Sequence, residues 1–302
     1  VTLTAEQKQT RKHGVGGSEV FAALGKDPRC SRLELYLRKL GEMPEPNLDD
    51  DERIRFGRLL EPVITQEFAR RIGQVVMPSA TLVHPTLPLV GTPDGWMPAL
   101  ARGVEIKTAD KHEAADFGEP GTDQVPIRYL VQCAGYMALT DAASWYLCVL
   151  IGGNDLRIYE IPRDKELESA ILAGVSEFWQ HVAERKPPNP ETPDEVRLRW
   201  PKDLGHSITA TDEIIEQCAI LERASAEARL AERMADEAKA EIQRFMADAS
   251  QLVHPTGLRV MATWRKAKDS ERFDTKRFAV EHPAMHSQYS ITQQGSRRFL
   301  LK

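Results

Sequence analysis

The 302-residue sequence predicts an α/β (α+β) fold: a central mixed β-sheet flanked by helices, followed by a long helix and a small α+β C-terminal extension. Three observations predict it. Ser144-Trp145-Tyr146-Leu147-Cys148-Val149-Leu150-Ile151 is a continuous apolar run that leads through Gly152-Gly153-Asn154-Asp155 into the alternating segment 156–161, which reads as a hairpin of one buried and one half-exposed strand. Apolar residues recur at helical spacing on both sides of it, at Leu60, Ile64 and Phe68 and again at Leu167, Ile171, Val175, Phe178 and Val182. The stretch from 211 to about 249 holds no Gly or Pro and is rich in Ala, Glu and Arg, the composition of a long helix.

Near the start of the chain, Gly16 and Gly17 allow close backbone approach to a ligand, and Ser18 is placed to cap a helix running through Val20 to Leu24. The helix over 56–68 buries one face, and Glu61 lies next to that face, where a carboxylate needs a partner; Arg58, one turn earlier, is an ordinary one. Segment 87–94 reads as a short apolar strand closed by the Asp94-Gly95 turn signal, a hairpin into Val104-Glu105-Ile106-Lys107-Thr108. Strand alternation there puts Glu105 and Lys107 on one face and Val104 and Ile106 on the other. The hairpin brings Asp94 beside Glu105. Two converging carboxylates repel unless a cation lies between them, and an all-oxygen cluster suits Mg²⁺ or Mn²⁺. Lys107 can then orient or deprotonate a water, or stabilise charge on a phosphate under attack. On the next helix, over 129–137, Gln132 and Tyr136 project from the same face, although Leu130, Val131, Met137 and Leu139 explain that helix by packing alone.

Pro93-Asp94 followed by Glu105-Ile106-Lys107 resembles the PD-(D/E)XK nuclease superfamily, with its restriction-endonuclease-like core. Three further segments resemble its phage lambda-exonuclease or YqaJ-type viral recombinase branch. Arg11 to Ser18 resembles the R-x(3)-[IV]-[GT]-[GA]-S opening, the helix carrying Glu61 resembles the family's acidic helix, and Gln132 with Tyr136 resembles the Q-x(3)-Y element. The resemblance spans about residues 8 to 186. It implies that Asp94, Glu105, the Ile106 carbonyl and Glu61 hold Mg²⁺, with Mn²⁺ as substitute, while Lys107 activates the attacking water. It also implies that Arg11, Ser18 and Gln132 hold a 5′-phosphate, with Tyr136 lining the same groove. The expected activity is a 5′-to-3′ double-stranded DNA exonuclease that leaves single strand for an annealing protein, working as a homo-oligomeric ring such as a trimer. Two other readings stay open: a structure- or sequence-specific endonuclease, which needs no terminal-phosphate pocket, and a catalytically inactive DNA-binding module.

No stretch approaches the apolar length of a membrane span, and the first residues are polar rather than signal-like, so a cytoplasmic protein of a bacterial or phage-infected cell is expected. Cys30, Cys133, Cys148 and Cys218 lack metal-ligand spacing, the surroundings of Cys133 and Cys148 suit buried thiols, and the scattered histidines make zinc improbable. Residues 211–250 hold 5 basic and 10 acidic side chains and 251–302 hold 10 basic and 4 acidic, which leaves −6 of the total −5 on residues 1–210. DNA binding by so acidic a region requires a locally positive channel. The expected organisation is a nuclease core over 1–186, a Pro-rich linker over 187–210, the long helix over 211–250 and a basic α+β extension over 251–302. In that extension 257–265 reads as a strand, 275–281 as a short helix and 297–302 as a closing strand, and its basic residues interleave with Trp264, Phe273, Phe278 and Tyr289.

Overall fold

The computed structural model describes residues 9–47, 50–292 and 295–301 and divides into two units, Val1–Arg199 and Trp200–Lys302. In the first unit β1 (Val15–Gly16), β2 (Leu82–Val83) and β3 (Leu89–Gly91) form one sheet in the order β1-β3-β2. The larger sheet runs β4 (Gly95–Met97), β5 (Arg102–Ala109), β6 (Ser144–Ile151), β7 (Asp155–Pro162), with β5 and β6 parallel and the other neighbours antiparallel. Helices α1 (Val20–Ala23), α2 (Arg32–Lys39), α3 (Glu52–Ile72), α4 (Ile127–Thr140) and α5 (Lys165–Glu184) flank these sheets.

Strand β6 explains the apolar run that announced it. Trp145, Leu147, Val149 and Ile151 enter the larger core cluster with α1, α2, α4 and α5 residues, whereas Tyr146 and Cys148 enter a second cluster with Ile64 and Phe68 of α3. Both faces are covered, so no position on β6 is left for alternation. Strand β5 splits differently: Val104 and Ile106 pack into the α3 cluster, leaving Glu105 and Lys107 for the opposite side. Helix α3 starts where the Asp51 carboxylate accepts the Arg53 and Ile54 N–H groups, and it stops at Gly73, whose φ of 67° ends the helix. Cys133 and Cys148 are free and buried.

The structure departs from the sequence reading in the strand pairing around Asp94 and in the Pro-rich linker. The strand before Asp94 does not pair with β5. β3 belongs to the smaller sheet, and β4, after Asp94, makes the hairpin with Gly95 opposite Val104 and a turn through Pro98-Ala99-Leu100-Ala101. Asp94 therefore stands where the chain crosses from one sheet to the other. The segment expected as a Pro-rich linker contains helix α6 (Pro193–Arg199), because Pro193 occupies its first position, where no N–H is needed, and Glu195 accepts the Glu191 and Thr192 N–H groups.

In the second unit α7 (Asp212–Met246) is capped by Thr211 and is followed by the hairpin β8 (Gln251–Val253) and β9 (Val260–Thr263), then α8 (Thr275–Glu281) and α9 (Pro283–Tyr289). The closing strand is not formed over 297–301, and Lys302 lies outside the described residues. No helix among the described residues is long and apolar enough to cross a membrane.

Candidate active site

Strand β4 pairs with β5 only as far as Val104, so the edge of β5 beyond it is unpaired on that side. Asp94 fills the place of the missing strand: its Oδ2 accepts the Ile106 N–H at 2.7 Å. An extended residue points its N–H and C=O to the same edge, which directs the Ile106 carbonyl toward the Asp94 side as well. One face of β5 then supplies Glu105 and Lys107, joined by a 2.5 Å contact between Lys107 Nζ and Glu105 Oε1. Glu105 is 3% exposed, its Oε1 also accepts from Gln132 Nε2 at 2.6 Å, and its Oε2 is buried without a hydrogen-bond partner among the described residues.

Charge is concentrated here against the cost of burial. Burial and then the neighbouring Glu105 push the Asp94 carboxyl up to about 8, despite the opposing pull of Lys107 and the Ile106 N–H. Burial works against the Lys107 ammonium, but Glu105 and Asp94 outweigh it and hold that group protonated well above its ordinary range. Two carboxylates crowded in this way, one with an orphaned oxygen, match the donor chemistry of a divalent oxygen-seeking cation. Glu61 of α3 faces the same cleft and adds to the negative field on Asp94. It does not close a three-carboxylate cluster with Asp94 and Glu105: no group of three or more His, Cys, Asp or Glu poised for a metal occurs among the described residues.

A cleft of about 410 Å³ opens over this edge, between α3 and α4. Arg29, Arg53, Arg58, Lys107 and Arg128 line it, against Asp27, Glu61 and Asp94. With five cationic side chains against three acidic ones, the cleft is locally positive within an otherwise acidic unit. Arg29, Arg53 and Arg128 escaped the sequence reading, since only the fold unites them. Arg128 alone had a signal, one helical turn before Gln132, and its guanidinium stacks 4.5 Å from the Tyr129 ring, which also lines the cleft.

Ser18 reaches the cleft but caps nothing. It lies in a 3₁₀ turn, Gly17–Glu19, and its hydroxyl accepts from Arg11 at 3.0 Å. Glu19 does the local work instead, accepting the Gly16 N–H at 2.6 Å and Lys39 Nζ at 2.6 Å, with Arg11 at 3.4 Å. Burial would raise the Glu19 carboxyl, yet Lys39 and Arg11 hold it below its ordinary value. Gln132 lines the cleft, but its amide is committed to Glu105 and to the Tyr136 hydroxyl. Tyr136 is 3% exposed, packs on Trp145 with ring centroids 5.3 Å apart, and does not line the cleft. The groove-lining place expected for Tyr136 is thus taken by core packing.

Residues 6–143 match the family described as YqaJ-like viral recombinase domain. Over 173 residues the chain is 31% identical to "Uncharacterized protein YqaJ" of Bacillus subtilis strain 168, covering 56% of this chain and 53% of that protein, so the chain spans about half of the relative's length. Among solved structures, the alkaline exonuclease LHK-Exo from Laribacter hongkongensis shares the fold, with a TM-score of 0.50 and 21% identity over 60% of this chain and 94% of that one. The structure of LHK-Exo in complex with dAMP gives the same figures. Residues 6–143 of this chain are thus similar to the YqaJ-like viral recombinase domain, the branch that the segments around Arg11, Asp94, Glu105 and Gln132 resemble.

Proposed function

We propose that this chain is a Mg²⁺-dependent exonuclease that degrades double-stranded DNA from a 5′-phosphorylated end in the 5′-to-3′ direction, leaving single strand for an annealing protein. The observation that carries the reading is the meeting of Asp94, Glu105 and Lys107 at the free edge of β5, where Asp94 and Lys107 line an arginine-rich cleft and Glu105 is buried against Lys107. Asp94, Glu105 and the Ile106 carbonyl would hold the cation, with Glu61 facing it across the cleft. A divalent cation bound there supplies Lewis-acid polarisation of a phosphoryl oxygen.

The side chains divide the remaining work. Lys107, kept as an ammonium by its two acidic neighbours, orients water and stabilises the charge developing on phosphate, and it is a poor proton acceptor in that state. Arg29, Arg53, Arg58 and Arg128 neutralise backbone phosphates along the cleft. Arg11 holds the Ser18 hydroxyl toward the cleft, and the pair favours a 5′-phosphate over a 5′-hydroxyl. The reading places the protein in the cytoplasm of a bacterial or phage-infected cell, as a homo-oligomer.

Linear and closed circular duplexes, each incubated with Mg²⁺, test this reading. Digestion restricted to linear DNA, and faster from 5′-phosphorylated than from 5′-hydroxyl ends, supports it. Cleavage of closed circles instead favours an endonuclease, and binding without hydrolysis favours an inactive module.

A further inference from the structure

Gln132 is buried, 6% exposed, and its Nε2 donates to Glu105 Oε1 at 2.6 Å and to the Tyr136 hydroxyl at 3.0 Å. A primary amide nitrogen carries two hydrogens, and these two contacts use both. What remains is the amide oxygen, an acceptor, which has no attraction for an unprotonated phosphate oxygen. The orientation of the amide is fixed by chemistry, because the Glu105 carboxylate requires a donor facing it.

Tyr136 is in turn locked. A Cβ added at Gly17 would lie 2.6 Å from its ring, and one added at Gly91 2.7 Å, so two glycines on different segments leave the space that the ring fills. Gly17 adjoins Ser18, and Gly91 ends the strand that leads to Asp94. The ring therefore braces the backbones that carry both halves of the site while its hydroxyl holds Gln132.

We propose that Gln132 is a positioning residue for Glu105, braced by Tyr136, and does not read the terminal phosphate. The inference rests on the reading of Asp94 and Glu105 as a divalent-cation site. Lys107 and Gln132 together pin one oxygen of Glu105, which leaves the other, Oε2, for a cation.

Calorimetric titration of the full chain with Mn²⁺ alone, without DNA, separates the possibilities when combined with the ratio of rates on 5′-phosphorylated and 5′-hydroxyl duplexes. Gln132→Ala is expected to weaken Mn²⁺ binding by about tenfold or more, the usual effect of losing a partner that orients a metal ligand, with the end-preference ratio retained. Tyr136→Phe keeps the ring and removes only the hydroxyl, so it is expected to fold and to weaken Mn²⁺ binding by about threefold. It carries the test should Gln132→Ala fail to fold. Unchanged Mn²⁺ affinity in a folded variant, or a collapsed end-preference ratio in Gln132→Ala, overturns the assignment. Failure of the parent chain to bind Mn²⁺ overturns the cation-site reading itself, and is visible before any variant is compared.

Discussion

The two units of the chain are built on opposite principles. The first buries Trp145, Tyr159, Phe68 and Phe178 completely and closes two apolar clusters around its sheets. In the second, Met246 is the one buried residue among those described, and Ile214, Leu230, Met234, Ile242 and Phe245 of α7 are exposed. A folded domain draws its stability from apolar burial, so the first unit has the means to hold a charged site rigidly and the second does not. Every side chain implicated in the chemistry belongs to the first unit.

The largest effect expected from this contrast is at Asp94. Asp94→Asn should abolish hydrolysis and, in the absence of divalent ions, change the pH dependence of stability. Between the ordinary carboxylate pKa near 4 and about 8, folded Asp94 keeps a proton that the unfolded chain has lost, so stability falls as pH rises through that window. The variant lacks this decline. Its melting temperature should therefore gain on the parent's from pH 4 to pH 8, and a constant difference would remove burial as the cause.

Core substitutions sharpen the contrast further. Phe68→Ala, which hollows the cluster beneath β5, should cost about 3–5 kcal/mol in chemical denaturation. Leu230→Ala on α7, at 51% exposure, should change stability by no more than about 0.5 kcal/mol. Similar losses for both would mean that α7 is covered in solution. Arg11→Ala should reduce the preference for 5′-phosphorylated over 5′-hydroxyl ends by about tenfold, the loss of one charge-assisted hydrogen bond. The smallest effect is reserved for removal of the second unit: a chain ending at Arg199 should digest short linear duplexes at close to the full-length rate.

How much of this was legible in the sequence differs from residue to residue. Strand parity alone put Glu105 and Lys107 together, because a period of two admits no other arrangement on one face. The helices carrying Glu61 and Gln132 were equally legible from their apolar spacing. Asp94 was placed beside Glu105 for an incomplete reason. Asp94-Gly95 has the composition of a hairpin turn, while the actual turn through Pro98-Ala99-Leu100-Ala101 holds no Gly and puts Ala101 at a φ of 49°. For Tyr136 the resemblance implied a groove position and apolar packing left the core equally open, because helical spacing shows which residues share a face, not what covers that face; the structure buries it. Ser18 read as a cap because nothing local reveals that Glu19 takes the Gly16 N–H and Arg11 the hydroxyl. The arginine walls were illegible, since their proximity exists only after α3 and α4 have packed on opposite sides of the sheet.

The central claim is that Asp94, Glu105 and Lys107 together drive metal-dependent phosphodiester hydrolysis. It is tested most directly by digesting an end-labelled, 5′-phosphorylated linear duplex with the parent chain and with Lys107→Ala, each with Mg²⁺ and with a chelator. The account predicts release of label by the parent with Mg²⁺ alone, and a rate lower by about a hundredfold or more in the folded variant. Equal rates for the two proteins, or release of label that persists in the chelator, would contradict it.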